Sequence, residues 1–167
     1  MGYITHADEA QMQATVERAH TAFATWSQTS VDARAEILLK TADALETHRD
    51  ELIALCTKEA GKTPADGVAE VREAVDFCRY YAARAKTLLA NGELESRGVV
   101  LCISPWNFPL AIFLGQVSAA IVAGNTVVAK PAEQTSLVAL RTIELMIEAG
   151  MPASVVEPVI ARGSKVG

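Results

Sequence analysis

VVLCISPWNFPLAIFL, residues 99–114, decides how this chain is read. Val99-Val100-Leu101-Cys102-Ile103 is an unbroken apolar run, the pattern of a strand in a sheet buried on both faces. Ser104 and Pro105 stop it, and Leu110-Ala111-Ile112-Phe113-Leu114 reads as the start of a helix, with Pro109 suited to a first turn. Asn107 therefore lies just past the carboxyl end of a strand. Open α/β sheets place their ligands there.

Downstream the alternation continues. A helix near 109–123 is followed by the strand Thr126-Val127-Val128-Ala129, which ends at Lys130, and then by a helix near 136–149 closed by Gly150. Val155–Ile160 is a third strand weakened by Pro158. The order is βαβαβ, the first half of a Rossmann-like, doubly wound parallel sheet. Arg162-Gly163-Ser164-Lys165-Val166-Gly167 falls where such a fold builds a phosphate loop. A three-stranded half-sheet is incomplete, so a truncated chain is expected.

Upstream the period is helical. Met12, Val16, Ala19, Phe23 and Trp26 make one stripe. Ser30 is an N-cap for a helix carrying Ile37, Leu38, Ala42 and Leu45. Asp50–Ala60 ends on Gly61, a left-handed cap. Pro64 opens a long helix with Val68, Val71, Val75, Cys78, Ala82, Ala85 and Leu89 at three- and four-residue spacing, ending at Asn91-Gly92. The expected fold is α/β. Residues 1–92 form a helical segment, and residues 93–167 form the first half of a nucleotide-binding domain.

The 167 residues suffice for one sizeable core. Half are hydrophobic and 21% charged, a globular composition. Net charge is −5, with no Lys/Arg cluster, which argues against nucleic acid. The amino terminus shows no basic region followed by an apolar stretch, so no secretory signal is expected. Leu110–Val122 is too short to span a membrane. Cys56, Cys78 and Cys102 sit singly in apolar surroundings, as packed thiols of a reducing, cytoplasmic compartment do. None has a His or Lys neighbour to lower its pKa. His6, His20 and His48 lack metal-ligand spacing, and no metal is expected.

Two constellations carry chemistry. The Asn107 carboxamide is a neutral N–H donor, suited to an oxyanion developing on a carbonyl, and the flanking prolines restrict its backbone. Spacing alone also allows, and favours, Asn107 as the cap of the following helix. Lys130 and Glu133, at the end of the second strand, can share the vicinal hydroxyls of a ribose, lysine donating and glutamate accepting. Glu133 would also repel a 2′-phosphate, favouring NAD over NADP. A local ion pair, with Glu133 near the helix capped by Thr135, is the alternative. The pair Gly163 and Gly167 could admit a pyrophosphate, a weak signal alone.

Together PWNFP at 105–109, AGNTVVAKPAEQT at 123–135, EAGMPASVVEPV at 148–159 and KEAGKT at 58–63 resemble the aldehyde dehydrogenase superfamily. CISPWNFPLAIFLGQV and AKPAEQT look most like the aldehyde dehydrogenase half of bifunctional proline utilisation proteins, which oxidise L-glutamate γ-semialdehyde to glutamate. The resemblance implies NAD as cofactor, a small aldehyde as substrate and a homo-oligomeric parent. It implies that Asn107 is the oxyanion-hole asparagine and that Lys130 and Glu133 hold the adenosine ribose. Ile103, Ser104, Pro105 and Trp106 would line the cofactor, and Gly163 and Gly167 would belong to the nucleotide loop. Ala161 stands where many relatives have glycine, and its methyl group could crowd the phosphate.

The resemblance also implies a cysteine nucleophile and a glutamate base beyond residue 167. Cys56, Cys78 and Cys102 match neither. The chain alone is therefore expected neither to turn over aldehyde nor to bind NAD tightly. The rival is a non-catalytic association or nucleotide-binding module that pairs through its apolar sheet edge.

Overall fold

The structure, a computed structural model, describes residues 4–89 and 94–163. Four helices come first: α1 (Glu9–Trp26), α2 (Val31–Thr47), α3 (Arg49–Ala60) and α4 (Pro64–Leu88). Then β1 (Val99–Ile103), α5 (Ala111–Val122), β2 (Thr126–Lys130), α6 (Ser136–Glu148) and β3 (Val156–Pro158) alternate, with short 3-10 turns at Glu133–Thr135 and Ala153–Val155. The expected βαβαβ order is present, and all three strands are parallel in the order β1-β2-β3. The third strand is shorter than its apolar run. Pro158 has no N–H to donate, and only Val159 N adds a bond, to Ala129 O at 2.8 Å.

Local chemistry sets most helix ends. Asp8 and Gln11 form a reciprocal capping box on α1, with bonds of 2.9 and 2.8 Å. Ser30 caps α2 through Ala33 N, and Thr63 caps α4 through Asp66 N with Pro64 in the first turn. Gly61 closes α3 at φ 67°. Helix α4 ends at Leu88, and Asn91-Gly92, where its end was expected, lie outside the described residues.

The helices wrap the two faces of the sheet unequally. Val127 and Ala129 of β2 point into the main core with Phe113, Leu114 and Ile121 of α5, Leu145 and Met146 of α6, and the inner faces of α2 and α4. Val128, one residue out of phase, joins Ala19, Val159 and Ala161 under α1. Trp26 Nε1 bonds Ile121 O at 3.0 Å, and Thr126 Oγ1 bonds Ala19 O at 2.9 Å, so α1 is tied to both layers. Arg18 forks onto Glu157 of β3 at 3.1 and 2.8 Å.

Three expectations need correction. β2 is buried throughout, but β1 is covered on one face only. Cys102 is buried, whereas Leu101 and Ile103 are 46% and 51% exposed, because α1 crosses over β2 and leaves β1 open. On α1, Val16 is exposed, and Thr15 faces the interior instead. On α4, Val68 is exposed, and the buried stripe begins with Gly67 and Glu70. The reason is close packing: a Cβ on Gly67 would lie 2.9 Å from Ile53 Cγ2, so bare backbone faces α3 there.

Candidate functional site

The carboxyl ends of β1 and β2 form one edge. Register pairs Ile103 with Lys130, and Ser104 N donates to Lys130 O at 3.1 Å. Ser104 is buried, and its hydroxyl has no hydrogen-bond partner among the described residues. From there Pro105, Trp106, Asn107 and Phe108 leave the sheet, the last three being exposed. Asn107 therefore projects from the sheet edge rather than into packing.

The alternative role for Asn107, capping the next helix, is taken by another residue. Helix α5 begins at Ala111, two residues later than Pro109 suggested, and has no side-chain cap from its own segment. Its leading amides, Leu110 N and Ala111 N, donate to Glu70 Oε2 on α4 at 3.2 and 2.9 Å. A carboxylate at a helix start satisfies free N–H groups and meets the positive end of the helix dipole. Asn107 is thereby left without a hydrogen-bond partner among the described residues, and its carboxamide is available to a ligand.

Lys130 is 5% exposed, yet no carboxylate lies within 4 Å of its ammonium among the described residues. Its one bond runs to Pro131 O at 3.3 Å. The Lys130–Glu133 ion pair considered from sequence is not formed. Glu133 instead accepts from Gly163 N at 3.3 Å and stands 3.9 Å from His6 Nε2. A lysine ammonium carries three donors, so this one retains capacity for hydroxyl ligands.

Gly163 thus meets Glu133, whereas Gly167 lies outside the described residues. Ala161 packs inward with Ala19, Val128 and Val159, so its methyl group is taken up by the core. Thr135 gives α6 no side-chain cap. Glu59 on α3 does that work, accepting from Leu137 N and Val138 N at 2.9 and 2.8 Å. Glu59 and Glu70 both escaped the sequence reading.

Cys56, Cys78 and Cys102 are all free and buried. Burial pushes the Cys56 and Cys78 thiols up to about 12 and that of Cys102 up to about 11. No cluster of His, Cys, Asp and Glu among the described residues could hold a metal ion. No helix among them is long and apolar enough to cross a membrane.

A parallel sheet of βαβαβ order, with Asn107, Lys130 and Glu133 at or just past the carboxyl ends of its strands, has the α/β architecture that places ligands at that edge. The chain belongs to the aldehyde dehydrogenase family, whose model matches residues 1–167. Over all 167 residues it is 46% identical to the bifunctional protein PutA of Escherichia coli K12, of which it spans 13%. A crystal structure of a Bradyrhizobium japonicum proline utilization A mutant superposes with a TM-score of 0.94 at 46% identity, covering 97% of this chain and 18% of that one. The 1-pyrroline-5-carboxylate dehydrogenase from Thermus with bound NAD gives 0.90 at 35% identity, over 98% of this chain and 34% of that one. The chain thus spans well under half the length of the relatives it matches.

Proposed function

We propose that this chain is the amino-terminal part of an NAD-dependent aldehyde dehydrogenase that oxidises L-glutamate γ-semialdehyde to glutamate in proline catabolism. Residues 1–92 supply the helical segment, and residues 93–167 supply the first half of the cofactor domain. The observation that carries the reading is the release of Asn107. Because Glu70 takes the helix-capping role, the Asn107 carboxamide stands free past the carboxyl end of β1, the strand whose Ile103 pairs with Lys130.

In this reading the Asn107 N–H donates to the carbonyl oxygen as charge develops there, and its short, doubly proline-flanked loop limits reorganisation. Lys130 donates to a ribose hydroxyl, and Glu133 accepts from the other. The Glu133 carboxylate disfavours a 2′-phosphate, so NAD is preferred over NADP. Ile103, Ser104, Pro105 and Trp106 line the cofactor face, and Gly163 closes on Glu133, with Gly167 in the same loop. Bound NAD supplies the hydride acceptor. With all three thiols buried and protonated, residues 1–167 alone turn over no aldehyde. The setting is cytoplasmic, the parent enzyme is a homo-oligomer, and no nucleic acid is bound.

Calorimetric titration of the chain with NAD and NADP tests the cofactor reading. Saturable NAD binding, weaker for NADP and weakened by Lys130→Ala, supports it. Equal affinity for both, or indifference to Lys130→Ala, overturns it. The second reading, an association module, is favoured by the open face of β1 with Leu101 and Ile103 exposed. It predicts no NAD binding and concentration-dependent association in sedimentation experiments.

A further inference from the structure

The loop bearing Asn107 is gripped from the helical segment. Glu70 is 2% exposed, and one of its oxygens holds the amides of Leu110 and Ala111. Its other oxygen, Oε1, lies 3.0 Å from the Lys62 ammonium, off the line of a good hydrogen bond. The same ammonium stands 4.4 Å from the centroid of the Phe108 ring. Phe108 follows Asn107 directly, and Leu110 is two residues further on. One ion pair, buried at Glu70 and half-buried at Lys62, therefore touches both sides of Pro109.

We propose that Glu70 and Lys62 are positioning residues for Asn107, a clamp that fixes where its carboxamide is presented. The functional meaning rests on the oxyanion reading of Asn107; the clamp itself is a property of the fold. A helix start that needed only stability could use a Ser or Thr from its own segment, as α2 and α4 do. Drawing a carboxylate from α4 into the interior is costly unless it is paired and hydrogen-bonded. Here it is both, and charge-assisted bonds are shorter and more directional than neutral ones. Lys62 adds a cation–π contact to the only side chain between Asn107 and Pro109. The KEAGKT segment thereby acquires a division of labour: Glu59 holds α6, Lys62 completes the clamp, and Thr63 starts α4.

The test is amide-resolved NMR with hydrogen exchange on the 167-residue chain, comparing wild type with Glu70→Gln, Lys62→Met and Lys62→Arg. Glu70→Gln is expected to shift the Leu110 and Ala111 amide protons upfield. Exchange of the amides of Leu110 and Ala111 should rise about tenfold, the change expected from losing a charge-assisted bond. Protection in α2 and α6 should stay unchanged. Lys62→Met should lower the heteronuclear NOE at Asn107 and Phe108, and Lys62→Arg should restore it. Asn107→Ala should leave the Leu110 and Ala111 signals in place, so the clamp and the oxyanion reading fail separately. Faster exchange spread evenly over α4 and α5, or no change at 107–111, overturns the proposal. Should Glu70→Gln not fold, the two Lys62 variants decide by the same NOE readout.

Discussion

Glu59 and Val138 are joined across the fold: Glu59 Oε2, on the last turn of α3, accepts from the Val138 amide of α6 at 2.8 Å, while Oε1 takes Leu137 N. Two free amides of α6 are satisfied by one carboxylate 79 residues away. Glu59→Ala should cost about 1–2 kcal/mol, the usual loss for removing a helix cap. Glu59→Gln, which keeps one acceptor and loses the charge, should cost less. Urea denaturation measures this as a lower midpoint at constant slope. An unchanged midpoint for Glu59→Ala would show that water replaces the cap without penalty.

Gly124 leaves α5 for β2 at φ +89°, and a Cβ there would meet Arg34 Nη1 at 3.2 Å and Ser96 Cβ at 3.3 Å. Arg34 has little room to yield. Its Nε bonds Val122 O at 2.9 Å, and its Nη1 bonds Thr29 O. Gly124→Ala should therefore combine backbone strain with displacement of a buried guanidinium, a loss of about 1–3 kcal/mol. Thermal unfolding followed by circular dichroism checks it. Gly150→Ala is the internal control, since φ +105° carries similar strain with nothing within 4 Å of the added carbon. Equal losses at the two sites would mean that Arg34 moves freely.

These contacts show where sequence reading stops. Caps made within three residues, by Asp8, Ser30 and Thr63, follow from local chemistry, and so does the βαβαβ order with Asn107 and Lys130 at strand ends. Glu59 and Glu70 act at separations of 78 and 40 residues, a relationship that only packing creates. The period of α4 was legible but its phase was not. The close approach at Gly67 rotates Val68 outward and Glu70 inward. The apolar run of β1 matches that of β2, and neither sequence says that α1 covers only one of them. His6 beside Glu133 belongs to this class too, since Ala7 N reaches Ile160 O at 2.8 Å and carries the amino-terminal segment to the sheet edge.

The thiols should be inert while the chain is folded. With burial holding Cys56 and Cys78 near 12 and Cys102 near 11, their thiolate fraction at neutral pH is far below that of a free cysteine. Iodoacetamide should label none of the three in native protein and all three in guanidinium, as counted by intact mass. Burial favours the protonated form, so this contribution to stability is complete below the ordinary thiol value of 9.0 and is lost as pH rises toward 12. Rapid native labelling at any one position would expose an open route to that thiol.

Acid should loosen the α3–α6 contact first. Arg141 of α6 donates to Glu51 Oε1 at 3.0 Å and reaches Glu144 and Glu148 at 3.1 Å each, while His48 Nδ1 stands 3.1 Å from Glu51 Oε2. The hydrogen bond from Arg141 holds the Glu51 carboxyl below its ordinary 4.5. Folding therefore favours the ionised form. Its contribution is fully present above the unfolded value and disappears as pH falls through the lower, folded one. The melting temperature should be flat above the ordinary value of 4.5 and decline as pH falls beneath it. Glu51→Gln should lower the plateau and shallow the decline. Because the pair is substantially exposed, salt near 1 M should mimic part of the mutation. An acid limb of unchanged slope in Glu51→Gln would assign the loss to groups other than Glu51.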